Sequence, residues 1–351
     1  MRRTELAFAV YLPTALLAMG QGLLLATLPF HATDLGVGLT MVSIIVSAAA
    51  TGTLLTDVPA GAVLFRIGLR RSMLIGSALV VAGTLGLALP LDPLAIVSLR
   101  VMAGVGTALW GLSRHAFITQ AADAARRGQS IAIFGGINRI GMFAGPAIGG
   151  LVATEASTRA SFLVAGFMAL LALAAAFLFV PNDRRYAGTS RSTGSARWTI
   201  VRQTLQEHAA DLTAAAVAQL FAQMIRQGRQ LLIPLVGAIT LALNPAQVGI
   251  VMTSSAVLDM TMFIPAGFLM DRFGRKFASV PSFAIMAIGI GMVPFASGFE
   301  GLLIAALVIG LGNGLGSGAM MTLGADLAPE GATGEFLGIW RLIGDVGMVA
   351  G

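Results

Sequence analysis

The sequence predicts an all-α integral membrane protein made of two pseudo-symmetric six-helix bundles. Of its 351 residues, 56% are hydrophobic and 11% charged. A soluble fold keeps a polar skin around one core and cannot hide that much apolar surface. The apolar residues also fall in runs of about 20, the length of helix that crosses a bilayer. Finally, the stretch 61–71 (Gly-Ala-Val-Leu-Phe-Arg-Ile-Gly-Leu-Arg-Arg) returns at 267–276 as Gly-Phe-Leu-Met-Asp-Arg-Phe-Gly-Arg-Lys. Each copy follows Pro-Ala-Gly, at Pro59-Ala60-Gly61 and Pro265-Ala266-Gly267, which reads as a turn before a basic loop. The offset is a constant 206 residues. Paired membrane repeats are the architecture of secondary transporters, whose substrate sites lie where the repeats meet.

About eleven spans are expected, at roughly 6–30, 38–64, 72–90, 94–116, 129–154 and 161–181, then at 210–238, 247–270, 277–297, 301–325 and 335–351. Arg2 and Arg3 ahead of the first run resemble the start of a signal peptide, but the run continues to about Phe30 without a cleavage site, so a retained span is expected. Residues 182–206, rich in Arg, Gly, Ser and Thr, read as a cytoplasmic linker between a bundle at 1–181 and a second at 207–351. The second bundle is incomplete by comparison with the first. Its last apolar run stops at Gly351 with no counterpart of the span at 161–181, so the chain reads as truncated.

Charge fixes the topology. One set of loops holds Arg66, Arg70, Arg71, Arg126, Arg127, Arg184, Arg185, Arg272, Arg275 and Lys276; the other holds Asp34, Asp92, Glu155, Arg159 and Glu300. The basic side is expected to be cytoplasmic, together with the N-terminus, in a multi-pass plasma-membrane protein. An acidic loop at 326–335 is a mild exception. The 22 Lys+Arg against 16 Asp+Glu therefore reflect topology, and no nucleic-acid face is expected. With no Cys and three scattered His residues, neither disulfides nor a metal centre is expected.

The offset reaches beyond the loops. Arg100, Gly104 and Gly106 map to Ala306, Gly310 and Gly312; Gly141 and Gly145 map to Gly347 and Gly351; Gln21 maps to Gln227; and Pro29 maps to Pro234 with a one-residue slip. On these motifs the chain resembles the major facilitator superfamily over essentially its whole length. Gly267, Asp271, Arg272, Gly274, Arg275 and Lys276 match that family's loop signature, Arg100 with Gly104 and Gly106 its fourth-helix motif. Gly141, Gly145, Pro146, Gly149 and Gly150 resemble the fifth-helix motif of its drug:proton antiporter branch. The first loop copy keeps Gly61, Arg66, Gly68 and Arg70 but has Phe65 in place of the acid and Leu69 in place of a base. The resemblance implies gating roles for both loops, with Asp271 docking on the N-terminus of the fifth span near 128–131, where a helix dipole favours a carboxylate.

Ionisable and amide side chains at membrane depth usually face a water-filled path. Gln219, Gln223, Arg226, Gln227 and Gln230 share one arc of the seventh span, flanked by Arg229. With Gln21, Arg100 and Arg139 they are the candidate cavity residues; interhelical hydrogen bonding is the alternative. Asp57, Asp259 and Asp345 are the candidate proton carriers or ion-pair partners, and Arg341 lies one turn from Asp345. Trp110 near Arg114 could face a substrate, though packing suffices to explain it.

The expected function is secondary active transport of a small organic solute by alternating access. The antiporter-like motif points to proton-coupled efflux of drug-like or amphiphilic compounds. The surplus of deep arginines leaves open an importer or exchanger of an anionic metabolite. A non-transporting sensor, or a chain inactivated by truncation, is the rival of another class. No cofactor is expected, no nucleotide loop of the Gly-Lys-Ser/Thr kind occurs, and no nucleophile constellation suggests an enzyme. The expected partners are the solute, protons and the bilayer, and the protein is expected to be a monomer.

Overall fold

A computed structural model of the chain describes residues 7–121, 127–181, 199, 202–204, 206–207, 209–329 and 333–351. Among them every regular element is helical. The first bundle contains α1 (Leu12–Asp34, entered through a π-turn at Ala7–Tyr11), α2 (Leu39–Ile67), α3 (Leu69–Gly86), α4 (Pro93–Ala121), α5 (Arg127–Glu155) and α6 (Thr158–Phe179). There follow α7 (Ala209–Leu235, ending in a π-turn at Val236–Thr240), α8 (Pro245–Thr261), α9 (Phe263–Phe273), α10 (Arg275–Met292), α11 (Gly298–Leu315), α12 (Ala319–Leu327) and α13 (Thr333–Ala350). Among the described residues, seven helical stretches are long and apolar enough to cross a bilayer. The linker at 182–206 lies, apart from a few residues, outside the described residues, as do Arg2, Arg3 and Arg126.

The chain divides into two compact units, residues 1–187 with 237–253, and residues 188–236 with 254–351. In the first, α1 packs on α5 and α6, α2 on α4, and α3 on α4 and α6. In the second, α7 packs on α13 and α10 on α11. Lipid supplies no hydrophobic force between helices, so tight backbone approach at small residues replaces it. A Cβ on Gly104 would lie on the Ala49 carbonyl of α2, and one on Gly310 on the Ser255 carbonyl of α8. Gly106 meets Gly76, as Gly312 meets Ser282 and Met286. These pairs keep the 206-residue offset. Outward-facing side chains such as Ile264, Phe268, Leu178 and Phe295 are exposed and apolar, as lipid contact requires.

Three expectations need correction. Neither Pro-Ala-Gly is a turn, and the basic loops are mostly helix: Pro59 to Ile67 close α2 and residues up to Phe273 close α9. The connection in each copy is a single glycine. Gly68 has φ 85° and ψ 164°, Gly274 φ 89° and ψ 165°, and each caps one helix and starts the next. That conformation is essentially restricted to glycine, which explains why the repeat retains it. The spans expected at 247–270 and 301–325 are found, at Pro245–Phe273 and Gly298–Leu327, but each carries an internal break that the pattern did not announce. The first breaks at Met262, where the Pro265 imide leaves the Thr261 carbonyl without its helical donor. The second breaks across Gly316 to Gly318, with Gly318 at φ 81°. Lastly, Gln21 and Gln227 are not equivalent in packing. Gly141 faces the Ala15 carbonyl and Gly145 the Met19 carbonyl, while Gly347 faces that of Leu220 and Gly351 that of Met224. The first helix of each unit is thus related by 205 residues, the slip already visible at Pro29 and Pro234, and Gln21 corresponds to Arg226.

Replacing Gly274 with Ala should strain the α9–α10 corner by ~1–3 kcal/mol. The measurement is thermal unfolding of the purified protein in detergent, with Gly267→Ala as control, since a Cβ there meets nothing within 4 Å at an ordinary φ. Equal melting points for the two variants would contradict the strained-corner assignment.

Candidate functional site

The densest polar cluster among the described residues lies in the second unit, where α7, α8 and α11 meet. Asp259 on α8 is 2% exposed. Its Oδ2 accepts a 2.6 Å hydrogen bond from Asn313 Nδ2 and lies 3.5 Å from a terminal nitrogen of Arg229. Asn313 Oδ1 in turn accepts from Arg226 Nε at 3.0 Å. The Arg226 guanidinium also donates to Gln223 Oε1 at 3.2 Å and to the Gly316 carbonyl at 3.1 Å. The break after α11 therefore has a use, since it turns a backbone carbonyl toward a guanidinium. Asp259 Oδ1 has no hydrogen-bond partner. Removing the charge would weaken the Arg229 contact, and breaking a buried pair is worth ~3–5 kcal/mol.

The sequence-predicted residues divide accordingly. Gln223, Arg226 and Asp259 are brought together with Arg229, which the sequence placed only on the flank. Gln227 and Gln230 are half-buried on the same helix. Gln219 is buried, and its amide stands where a Cβ on Gly344 of α13 would fall. Asp345 is buried on α13, with Arg341 Nε at 3.6 Å one turn away. Asn313 was missed. The available signal was a lone amide in an otherwise apolar helix, obscured by the glycines around it.

The first unit has the neutral version of this arrangement. Gln21 Nε2 donates to Thr107 Oγ1 at 3.2 Å, the counterpart of Arg226 donating to Asn313. The counterpart of Asp259 is Thr53, whose hydroxyl is 3.1 Å from the Gly104 carbonyl. Arg100, Asp57 and Arg139 are half-buried on α4, α2 and α5, and Arg100 Nε has no hydrogen-bond partner. Arg114 lies 4.5 Å from the Phe134 ring centre and 3.4 Å from Asn138 Oδ1. Trp110 is a core residue, packed with Val80, Phe117 and Phe134.

The motif residues are also placed. Gly141, Gly145 and Gly149 face α1, whereas Pro146 and Gly150 face Gly249 and Pro245 at the start of α8, all within the first unit. Of the loop residues, Arg66, Asp271, Arg272 and Lys276 are exposed, and Arg70 donates to the Phe177 carbonyl at 2.8 Å. The side chain of Phe65 lies outside the described residues. Arg275 grips Asp326 with two contacts, Nε–Oδ2 at 2.8 Å and a terminal nitrogen to Oδ1 at 3.1 Å. That pair accounts for acidity on a basic side: Asp326 neutralises the loop signature itself.

Residues 10–351 match the family model described as Major Facilitator Superfamily. The chain belongs to the major facilitator superfamily. It is a multi-pass integral membrane protein and a secondary transporter of small solutes, not an enzyme. It is 21% identical over 350 residues to an uncharacterised MFS-type transporter of Methanocaldococcus jannaschii, covering 98% of this chain and 88% of that one. A shorter match, 28% identical over 109 residues, links 31% of the chain to 24% of an arabinose-proton symporter of Bacillus subtilis. Among solved structures, a D-xylose-proton symporter superposes with a TM-score of 0.73 at 16% identity, covering 99% of this chain and 88% of that one. A POT family transporter in complex with a thioalcohol-conjugated peptide also gives 0.73, at 13% identity, with 98% and 88% covered. These likenesses bear out the all-helical fold.

Asn313→Leu should destabilise the second unit by ~1–3 kcal/mol, because it strips a hydrogen bond from the buried Asp259 and from Arg226. Thr107→Val, the neutral counterpart, should cost about 0.6 kcal/mol. Comparison of the two melting curves checks the difference, and a Thr107→Val effect as large as that of Asn313→Leu would show that the charges add nothing.

Proposed function

We propose that this transporter moves a small organic solute across the plasma membrane by alternating access between its two units, coupled to protons, with its N-terminus in the cytoplasm. The observation that carries the proton coupling is Asp259, buried, half-satisfied and linked to Arg229 directly and to Arg226 through Asn313. Protonation there changes the charge of a site that also holds arginines able to meet a polar or anionic solute. A few kcal/mol of differential stability suffices to rebalance two conformations. The polar arc from Gln219 to Gln230 is the proposed wall of the solute path. Asp57 and Asp345 remain candidate coupling groups, and the protein is proposed to work as a monomer.

The glycine-proline motif of α5 supports efflux of drug-like or amphiphilic compounds. A second reading, proton–solute symport, is favoured by the similarity to an arabinose-proton symporter and to a D-xylose-proton symporter. Proteoliposome flux with the sign of the pH gradient reversed separates them: antiport drives solute against the proton flow, symport with it.

Asp259→Asn keeps the shape of the side chain while removing its titration. It should abolish accumulation driven by a pH gradient while leaving solute exchange at equal pH. Unaltered pH-driven accumulation would falsify Asp259 as the coupling group. In this Cys-free chain, single cysteines at Gln223, Gln227 and Gln230 should react with membrane-impermeant thiol reagents, and one at the lipid-exposed Phe221 should not. The opposite labelling pattern would remove the polar arc from the solute path. Asp271→Asn should slow turnover without affecting insertion, as the gating role that the family resemblance implies for the second loop requires; unchanged turnover would leave that loop a role in topology alone.

A further inference from the structure

The Thr253 hydroxyl sits inside the backbone ladder of α5. It donates to the Phe143 carbonyl at 2.9 Å and accepts from the Ala147 N–H at 3.1 Å. In an undisturbed helix those two backbone groups would bond to each other. The next rung toward the N-terminus is open as well, because Pro146 has no N–H to offer the Met142 carbonyl. Around this point α5 and the first half of α8 form an antiparallel seam. Gly249 is pressed on the Pro146 carbonyl and Gly150 on that of Pro245, and the Ala246 N–H donates to Thr154 Oγ1 at 3.0 Å. Asn244 and Gln247 bond reciprocally at 3.0 and 2.9 Å, a capping box that fixes where α8 begins. Beyond Thr253 the same helix is held differently, by Ser255 on the Ala306 carbonyl and Asp259 on Asn313, within the second unit.

We propose that Thr253 is a removable staple that fastens the first half of α8 to α5 in one state of the transport cycle and releases it in another. The inference rests on the alternating-access reading above. Its physical basis is conservation of hydrogen bonds. When the hydroxyl withdraws, the Phe143 carbonyl and Ala147 N–H close their own rung. Thr253 can then donate to the Gly249 carbonyl one turn back, as Thr27 does to Leu23 and Ser77 to Met73 in this chain. No buried polar group is stranded on either side of the exchange, so the two states lie close in energy, as a switch requires. Pro146 keeps α5 open at the neighbouring rung and so admits the hydroxyl in the first place. The glycine-proline motif and Thr253 are thus two parts of one device.

The test uses spin labels on cysteines at Glu155 and Ile250, both exposed, with the full chain in nanodiscs. Thr253→Val retains shape and branching without the hydroxyl and should shift the ratio of short to long separations about three- to eightfold toward long, equivalent to one or two interhelical hydrogen bonds of ~0.6 kcal/mol each. Thr253→Ser should restore the wild-type ratio, which a purely steric role for the methyl would not do. Gly249→Ala, which keeps the hydroxyl but wedges the seam, should lengthen the separation in the same direction and serves where Thr253→Val does not insert. A distance distribution in Thr253→Val superimposable on wild type, or a Thr253→Ser protein that behaves like the valine variant, overturns the staple. Solute flux measured in parallel keeps the two ideas apart: wild-type protein that shows both separations but moves no solute would sink the transport reading and leave the staple standing.

Discussion

Backbone contact at glycine holds this structure together. In lipid, side-chain burial gives helices no reason to associate, because the tails are as apolar as leucine. The remaining forces, dispersion and hydrogen bonding, act at short range. The chain meets that constraint with small residues placed where one helix crosses another: Gly104 and Gly310 on the carbonyls of α2 and α8, Gly141 and Gly347 on those of α1 and α7. At several of these places a hydroxyl uses the proximity. Thr53 and Ser255 reach carbonyls of α4 and α11, and Ser282 reaches the Gly312 carbonyl at 2.7 Å, where the first unit has Gly76 instead. The repeat is therefore a repeat of close approaches, with the surrounding apolar side chains free to vary.

On that shared framework the units have diverged in charge. The Gln21–Thr107 contact of the first becomes Arg226–Asn313 in the second, and Thr53 becomes Asp259. Charged groups taken out of bulk water are stable only when supported on several sides. The second unit supplies that support through features the first lacks, namely Gln223 on Arg226, the Gly316 carbonyl exposed by a broken helix, and an amide that bridges cation and anion. The breaks at Met262 and Gly316 to Gly318 flank this cluster, whereas α2 and α4 run unbroken past the neutral contacts. Irregular backbone at membrane depth is tolerated where it lines protein or a cavity, and here it lies beside the charges.

The all-helical membrane fold, the order of its long helices and the twofold repeat were legible because each is written as a long-period pattern of apolar runs, prolines and glycines. Local conformation at the prolines was not. Pro59 lies within an intact helix while Pro265 follows a break, and the dipeptides after them are identical. The site was half legible. Glutamines and arginines on one arc of α7 announced themselves by polarity, but the Asp259–Asn313–Arg226 link needed the crossing of three helices, and a single Asn among glycines gave little sign of it. The pairing of Gln21 with Arg226 was hidden by one residue of slip, which the 206-residue offset of the other helices concealed.

Helix α8 takes part in both kinds of bonding, and its sequence shows how. Thr253, Ser255 and Asp259 all direct oxygen atoms to other helices, Thr253 to α5 and the other two to α11. Thr253 and Ser255 are only two residues apart and so lie on opposite sides of the helix, about 200° apart at 100° per residue. Ser255 and Asp259 are one turn apart and share a face. The bonds on the α11 face include the buried charge, whose removal leaves an unsupported arginine. The bond to α5 is a neutral hydroxyl that two backbone groups can replace between themselves. The attachments on the two faces of this helix are therefore unequal in chemistry, one charged and buried, the other a neutral hydroxyl on a backbone rung.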